Sequence, residues 1–322
     1  MSAARPIQVI FFADRAVLLG LHAALGSLVG YLTDKGPVQI TIYHEKLSPK
    51  DILRLHQTVR IAHSRGSRRE AIPSLQVKPA FALPHDGLHP HTGSLLPYCK
   101  LFVPTVLAKE GRVCVLDCDI LVEDDISILF DSPLEGKPIG CVIESILSNS
   151  LEKDFWAAQG RTWYGDYFNT GVLLFDLEGY WNANLLEITS RFLSEHRDAC
   201  LQFDQTVFNA VLYPYIKPLE TRWNKVVYSR FSSNESDPPG ITHYLSNPKP
   251  FDVGGRMVNP SGRVFARSLW RWTGLKWWPL STRFNGGRLR RSWKIRRSYL
   301  GVIRARLKKW LSRRINLMFK PV

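Results

Sequence analysis

The sequence predicts an α/β chain, a mostly parallel central sheet with flanking helices, followed by a basic helical tail. Three observations predict it. Short apolar runs alternate with segments of helical apolar spacing, the pattern of parallel strands joined by crossover helices. The chain's 322 residues, 45% of them hydrophobic, are enough to bury a sizeable core. Charge is segregated: residues 1–252 carry 24 Lys/Arg against 28 Asp/Glu, whereas residues 253–322 carry 19 Lys/Arg and no acid. The net charge of +15 therefore belongs to the tail. We read a body over residues 1–252 and a tail over residues 253–322.

Residues 7–13 (IQVIFFA) are apolar throughout, as a strand buried on both faces requires. Residues 17–31 follow with apolar side chains at helical spacing, and residues 38–43 (VQITIY) read as a second strand. Ser48-Pro49-Lys50-Asp51 opens a helix to about residue 61. Ser48 is its N-cap, and Pro49 takes the first helical position, where a missing N–H costs nothing. A strand over about 74–79 enters a Gly-, Pro-, Ser- and His-rich loop that ends near residue 94. Residues 95–107 are helix-like, restricted by Pro97 and Pro104. Residues 113–116, 139–143 and 167–175 read as further strands, 182–195 and 204–212 as helices, and Pro238-Pro239-Gly240 closes an irregular stretch before Ile241-Thr242-His243-Tyr244.

In a sheet of this kind ligands gather beyond the carboxyl ends of the strands. Asp14 ends the first run, and Asp117 and Asp119 end the run 113–116, so these acids are expected in one crevice. Two carboxylates spaced i, i+2 suit a hard divalent cation, Mg²⁺ or Mn²⁺, and Mn²⁺ also accepts imidazole. His243 would complete a three-ligand site with positions open for a diphosphate. Such an ion is a Lewis acid for charge growing on a leaving diphosphate. Lys249 would add a cationic contact to the same oxygens. Cys118, flanked by both acids, is a poor nucleophile, because the carboxylates disfavour thiolate.

His85, His89 and His91 lie in the long loop without Cys partners, which favours an acceptor-facing or solvated loop over zinc. The five cysteines are odd in number and lack a CxxC, as expected of reduced thiols in a reducing compartment. The N-terminus lacks a signal-peptide layout, and no apolar run approaches about 18 residues.

Five blocks in order carry a resemblance: Asp14; residues 115–122 (VLDCDILV); residues 168–177 (FNTGVLLFDL); residues 204–209 (DQTVFN); and His243-Tyr244 with Lys249-Pro250-Phe251. Over residues 7–252 the chain resembles family 8 glycosyltransferases, and among them the bacterial lipopolysaccharide galactosyl- and glucosyltransferases. The resemblance implies a GT-A (Rossmann-like) fold and hexose transfer from a UDP-sugar with retained anomeric configuration. It implies Mn²⁺ (or Mg²⁺) on Asp117, Asp119 and His243, Asp14 at the nucleotide base, and Lys249 at the diphosphate. Asn169 and Asp204 would bond the donor sugar, with Thr170 and Gly171 beside Asn169 in the donor site, and Gln205 would lie near the anomeric carbon. Glu144 and Lys100 match a family Asp and Arg at the sugar pocket. Asp204, Gln205 and Glu144 remain open as nucleophile candidates beside front-face attack. Where the family has Asn and Tyr, Ala16 and Val17 stand here; Ser246 replaces a Gly, and Lys100 lacks the guanidinium fork.

In the tail, Ile295, Tyr299, Ile303, Leu307, Leu311, Ile315 and Met318 share one helical face, with Arg and Lys around it. Upstream, Trp270, Trp272, Trp277 and Trp278 interleave with Arg267, Arg271 and Lys276. This composition suits a helix lying on an anionic membrane surface, ahead of nucleic acid. The expected partners are thus a nucleotide sugar, a glycan or glycolipid acceptor and the inner face of the plasma membrane, reached from the cytoplasm. The rival reading is a catalytically degenerate transferase fold recruited to membrane or nucleic acid by its tail.

Overall fold

The computed structural model describes residues 6–33, 36–68, 70–91, 93–160, 165–228, 238–274 and 286–318. Its strands are β1 (Ile7–Asp14), β2 (Val38–Glu45), β3 (Ser74–Pro79), β4 (Arg112–Leu116), β5 (Ile120–Val122), β6 (Ile139–Ile146), β7 (Asp166–Asp176), β8 (Ile216–Pro218), β9 (Lys225–Tyr228) and β10 (Ile241–Leu245). Seven of them form one sheet in the order β3-β2-β1-β4-β7-β6-β8. Only β7 runs against the rest, so the sheet is mixed but mostly parallel, as the alternation of strands and helices predicts.

Helices α1 (Leu18–Tyr31) and α2 (Pro49–Gly66) cover one face of this sheet. Residues 19–30 of α1 are all buried, so this helix is apolar nearly all round. At the start of α2, Asp51 N donates to Ser48 Oγ while Ser48 N donates to Asp51, a reciprocal capping box. The other face is packed by α3 (Leu96–Phe102) and the helices of residues 177–212.

Three expected helices differ in detail. Residues 95–107 form α3 and then a 3₁₀ turn, Val103–Val106, because Pro104 removes an amide donor. Residues 182–195 are split at Asn184, whose left-handed backbone separates Leu177–Asn182 from Leu185–His196. Residues 204–212 begin as α-helix, Asp204–Val207, and continue as a π turn, Phe208–Leu212.

A second sheet, β5-β10-β9, is not evident in the sequence pattern. Its strands are only three to five residues long, too short to display a period. The two sheets meet at the Asp117-Cys118-Asp119 turn. On one side Asp117 N donates to Gly171 O of β7 at 2.9 Å; on the other Tyr244 N of β10 donates to Asp119 O at 2.9 Å.

Packing continues past residue 252. The Gly262–Thr273 helix buries Phe265 and Leu269 against α1 residues Leu19 and Ala23 and β10 residue Tyr244. Trp272, grouped with interfacial aromatics above, is 3% exposed and belongs to the core beneath α1 and α2. A Cβ on Gly30 would lie 2.3 Å from its ring and one on Gly66 2.1 Å, so both glycines make room for the indole. The Arg296–Met318 helix returns to the body. Val302 is buried, Tyr299 donates to Val253 O at 2.5 Å, and Arg306 Nη1 donates to Met257 O at 2.8 Å. Leu300, Ile303 and Leu307 remain exposed. Lys276, Trp277 and Trp278 lie outside the described residues, as do the side chains of Leu311, Ile315 and Met318. No helix among the described residues is long and apolar enough to cross a membrane.

Candidate metal centre and donor site

The site is built where the turn after β4 meets the middle of β7 and of β10. β4 delivers Asp117, the turn delivers Asp119, and β10, antiparallel to β5 with His243 opposite Ile120, delivers His243. One potential ligand atom from each lies within 4.8 Å of the others. His243 Nε2 is 3.2 Å from Asp119 Oδ1 and 3.7 Å from Asp117 Oδ2. The other two carboxylate oxygens face lysines: Lys100 Nζ lies 2.6 Å from Asp117 Oδ1, and Lys249 Nζ 2.7 Å from Asp119 Oδ2. Each acid thus spends one oxygen on a lysine and turns the other toward the imidazole.

The imidazole has a defined orientation. His243 is 1% exposed, and its Nδ1 is 2.9 Å from Asn224 Oδ1. Nε2 is buried with no hydrogen-bond partner despite the acids beside it. An orphaned ring nitrogen among carboxylate oxygens is costly unless a cation sits between them. Oxygen, oxygen and imidazole nitrogen are a donor set that suits a divalent metal ion. The residues present fit such an ion.

Charge sustains the arrangement. Burial pushes the Asp119 carboxyl up, but Lys249 and His243 outweigh it and hold the group well below the usual carboxylate range. Burial disfavours the Lys100 charge, yet Asp117 and Asp204 outweigh it and raise the ammonium's pKa. Asp204, 4% exposed, lies 3.5 Å from Lys100 Nζ, and burial pushes its carboxyl up despite that lysine. Burial, then Asp117 and Asp119, raises the Cys118 thiol well above its ordinary value. All five cysteines are free and buried.

The remaining residues named from the sequence surround this centre. Asn169 Nδ2 donates to Glu144 Oε2 at 2.8 Å. Thr170 N donates to Gln205 Oε1 at 3.2 Å, and Thr170 O accepts from Lys100 at 3.0 Å. A Cβ on Gly171 would lie 2.2 Å from His243 Cε1, so only glycine lets β7 approach the imidazole. Glu144 sits in an irregular stretch of β6, where register shifts re-aim side chains. Asp14 Oδ1 accepts from Ala16 N at 2.8 Å and Val17 N at 3.1 Å, closing the turn into α1. Ser246, in place of the family's glycine, holds a left-handed φ of 62°, a region that favours glycine. The loop histidines diverge: His85 packs on Phe102, His89 lies 3.1 Å from Asp198, and His91 packs on Phe203. His91 is close enough to the site for Lys249, Arg291, Asp117 and Asp119 to act on its charge.

Sequence reasoning missed several participants. Asn224, 1% exposed, bonds both His243 and Asn169. Tyr228 donates to Glu144 Oε1 at 2.7 Å. Glu152, 1% exposed, accepts from Gln202 N at 3.2 Å and from Thr206 Oγ1, spanning the turn that carries Asp204 and Gln205. Phe203 in that turn has a φ of 57°, a strained value for a bulky residue. Arg291, from the Gly286–Lys294 helix, reaches Asp252 at 2.8 Å, and Asp252 in turn accepts from Lys249 N at 2.7 Å. None of these lies in a motif; Asn224 and Glu152 stand out as buried polar groups, a signal that exists only in three dimensions.

Solved structures of similar fold define the class. The chain superposes on the galactosyltransferase LgtC, solved with donor and acceptor sugar analogues, with a TM-score of 0.63 at 18% identity, over 84% of this chain and 97% of that one. With the bifunctional glycosyltransferase WbbM the TM-score is 0.64 at 16% identity, over 84% of this chain and 51% of that one. The architecture is that of GT-A glycosyltransferases. The profile of Glycosyl transferase family 8 matches residues 8–252, and the chain belongs to that family. General stress protein A of Bacillus subtilis (strain 168) is 28% identical over 172 residues, 48% of this chain and 58% of that protein. Glycosyltransferase GlyF of Streptococcus pneumoniae serotype 4 is 25% identical over 254 residues, 76% of this chain and 57% of that protein. The chain thus spans less than two thirds of the length of these relatives.

Proposed function

We propose that this protein is a metal-dependent retaining glycosyltransferase that moves a hexose, galactose or glucose, from a UDP-sugar to a lipid-linked glycan such as lipopolysaccharide core. The observation that carries the reading is the convergence of Asp117, Asp119 and His243 with a lysine behind each acid. Asp117, Asp119 and His243 would hold Mn²⁺ or Mg²⁺. Bound there, the ion supplies Lewis acidity to the diphosphate leaving group. Lys249 releases Asp119 to contact a diphosphate oxygen, and Asp14 meets the nucleotide base. Asn169, Glu144, Asp204 and Lys100 orient the hexose, while Gln205 lies beside the anomeric carbon.

In the front-face route the bond from C1 to the diphosphate oxygen breaks as the bond from C1 to the acceptor oxygen forms on the same face. The acceptor proton passes to the departing diphosphate oxygen, so no strong protein base is required. The buried environment of Asp204 and the bonded state of Gln205 suit positioning of substrate. The intact cluster argues against a degenerate binding protein. Exposed Leu300, Ile303 and Leu307, with Arg304 and Lys308 alongside, support docking on an anionic membrane, facing the lipid-linked acceptor.

The test is a screen of nucleotide sugars for donor hydrolysis with Mn²⁺. Turnover of a UDP-hexose is expected, falling at least a hundredfold in the Asp117→Asn, Asp119→Asn double variant. Absence of binding and hydrolysis with every UDP-sugar would refute the reading, and unchanged activity in the double variant would refute the metal role.

A further inference from the structure

We propose that Asn224 is a positioning residue: it sets the tautomer of His243 and ties that ligand to the sugar-side carboxylate Glu144. The inference rests on the metal-dependent reading above and extends it to a residue outside every recognised block.

A backbone N–H can only donate. Gly171 N donates to Asn169 at 2.9 Å, so the atom it meets is the amide oxygen, Oδ1. Asn169 Nδ2 then points the other way, to Glu144 Oε2 at 2.8 Å, where a donor is required. Asn224 faces two oxygens of Asn169, Oδ1 at 2.8 Å and the backbone carbonyl at 3.3 Å. Only an NH₂ group satisfies both, so Asn224 turns its oxygen to His243 Nδ1 at 2.9 Å. An acceptor there demands that Nδ1 carry the proton. In the neutral ring the Nε2 lone pair is then left facing Asp117 and Asp119.

Reversing either amide sets oxygen against oxygen or leaves the Gly171 amide unpaired. Asn169 is 3% exposed, Asn224 1% and His243 1%, so solvent does not supply substitute partners. The direction of the chain is therefore dictated from Gly171 to the imidazole. Its other end is anchored too, because Tyr228 donates to the second oxygen of Glu144 at 2.7 Å. A change at Asn224 thus reaches both the metal ligand and the sugar side while touching neither ion nor sugar. Partners of this kind, bonded to the far nitrogen of a ligating histidine, typically govern about ten- to a hundredfold in metal affinity.

The experiment reads the tautomer directly. ¹⁵N NMR of histidine-labelled, metal-free protein, with the His243 signal assigned by its loss in His243→Gln, is expected to show the proton on Nδ1. Asn224→Leu, close in volume but without polar atoms, is expected to mix the tautomers and weaken Mn²⁺ binding about tenfold or more by electron paramagnetic resonance. A proton on Nε2 with Nδ1 bare in the wild type overturns the proposal. So does an Asn224→Leu protein that keeps both the wild-type tautomer and Mn²⁺ affinity. Should Asn224→Leu fail to fold, the wild-type spectrum still decides. If wild-type protein shows the Nδ1 proton yet binds no Mn²⁺, the metal reading falls and the tautomer assignment is upheld.

Discussion

Gly171 shows how little space separates the backbone from the candidate metal centre. Its amide starts the chain of donors that orients His243, and its missing side chain leaves room for the ring. Gly171→Ala would push a methyl into the imidazole and displace His243 from the acids. We expect Mn²⁺ affinity, measured by titration calorimetry, to fall about tenfold or more, as for other losses of ligand positioning. Asp119 supplies a second test at this scale. Its carboxyl is held below its unfolded value of about 3.9. Its contribution to stability is thus present above that value and lost as pH falls through the folded value. In metal-free protein, the stability difference between wild type and Asp119→Asn should hold near neutrality and shrink below about pH 4. A difference equal at pH 3 and pH 7 would contradict the ion pair with Lys249. Among individual residues, the acids, His243, Lys249 and the Asn169-Thr170-Gly171 block were legible in the sequence because they lie in short motifs. Asn224, Glu152 and Tyr228 were not, because each is defined by partners 15 to 84 positions away.

Elements with a continuous apolar run or a helix-start signal were legible as well. β1, β2 and β4 are apolar runs buried on both faces, and α2 announces its start with Ser48 and Pro49. β5, β8 and β9 were not, since three or four residues carry no period and their pairing partners alone make them strands. The Gly262–Thr273 helix belongs between these cases. Its basic residues suggest a surface segment, yet Phe265, Leu269 and Trp272 are buried on one side. Because Gly30 and Gly66 form a seat for the indole, Trp272→Ala leaves a cavity that α1 and α2 cannot easily close. The expected cost is about 3–5 kcal/mol, read from urea unfolding. A loss under about 1 kcal/mol would show that this helix is not integral to the core.

At the scale of the whole molecule, the chain is an acidic-to-neutral body with strongly basic helices laid against it. Arg291 pairs with Asp252, and the Arg296–Met318 helix docks through Tyr299 and Val302. Exposed Leu300, Ile303 and Leu307 border the docked side, open to a membrane while Tyr299 and Val302 stay in place. Replacing these three leucine and isoleucine residues by Ser should abolish cosedimentation with anionic vesicles while sparing turnover of a soluble acceptor. Each basic residue near an anionic surface adds about 1 kcal/mol, so binding should also weaken with salt. Nucleic acid that competes better than vesicles at physiological salt would reassign the tail.

The sequence by itself determined the α/β class, the family and the acids and histidine of the candidate centre, because burial periodicity and short motifs are local properties of a chain. Only the tertiary structure decided that β7 and β10 converge on the Asp117-Cys118-Asp119 turn, that Trp272 is core, and that Asn224 holds His243. Those facts depend on which polar groups are buried together. Burial brings distant residues within hydrogen-bonding distance and makes each unmet partner costly, a constraint no local pattern of residues records.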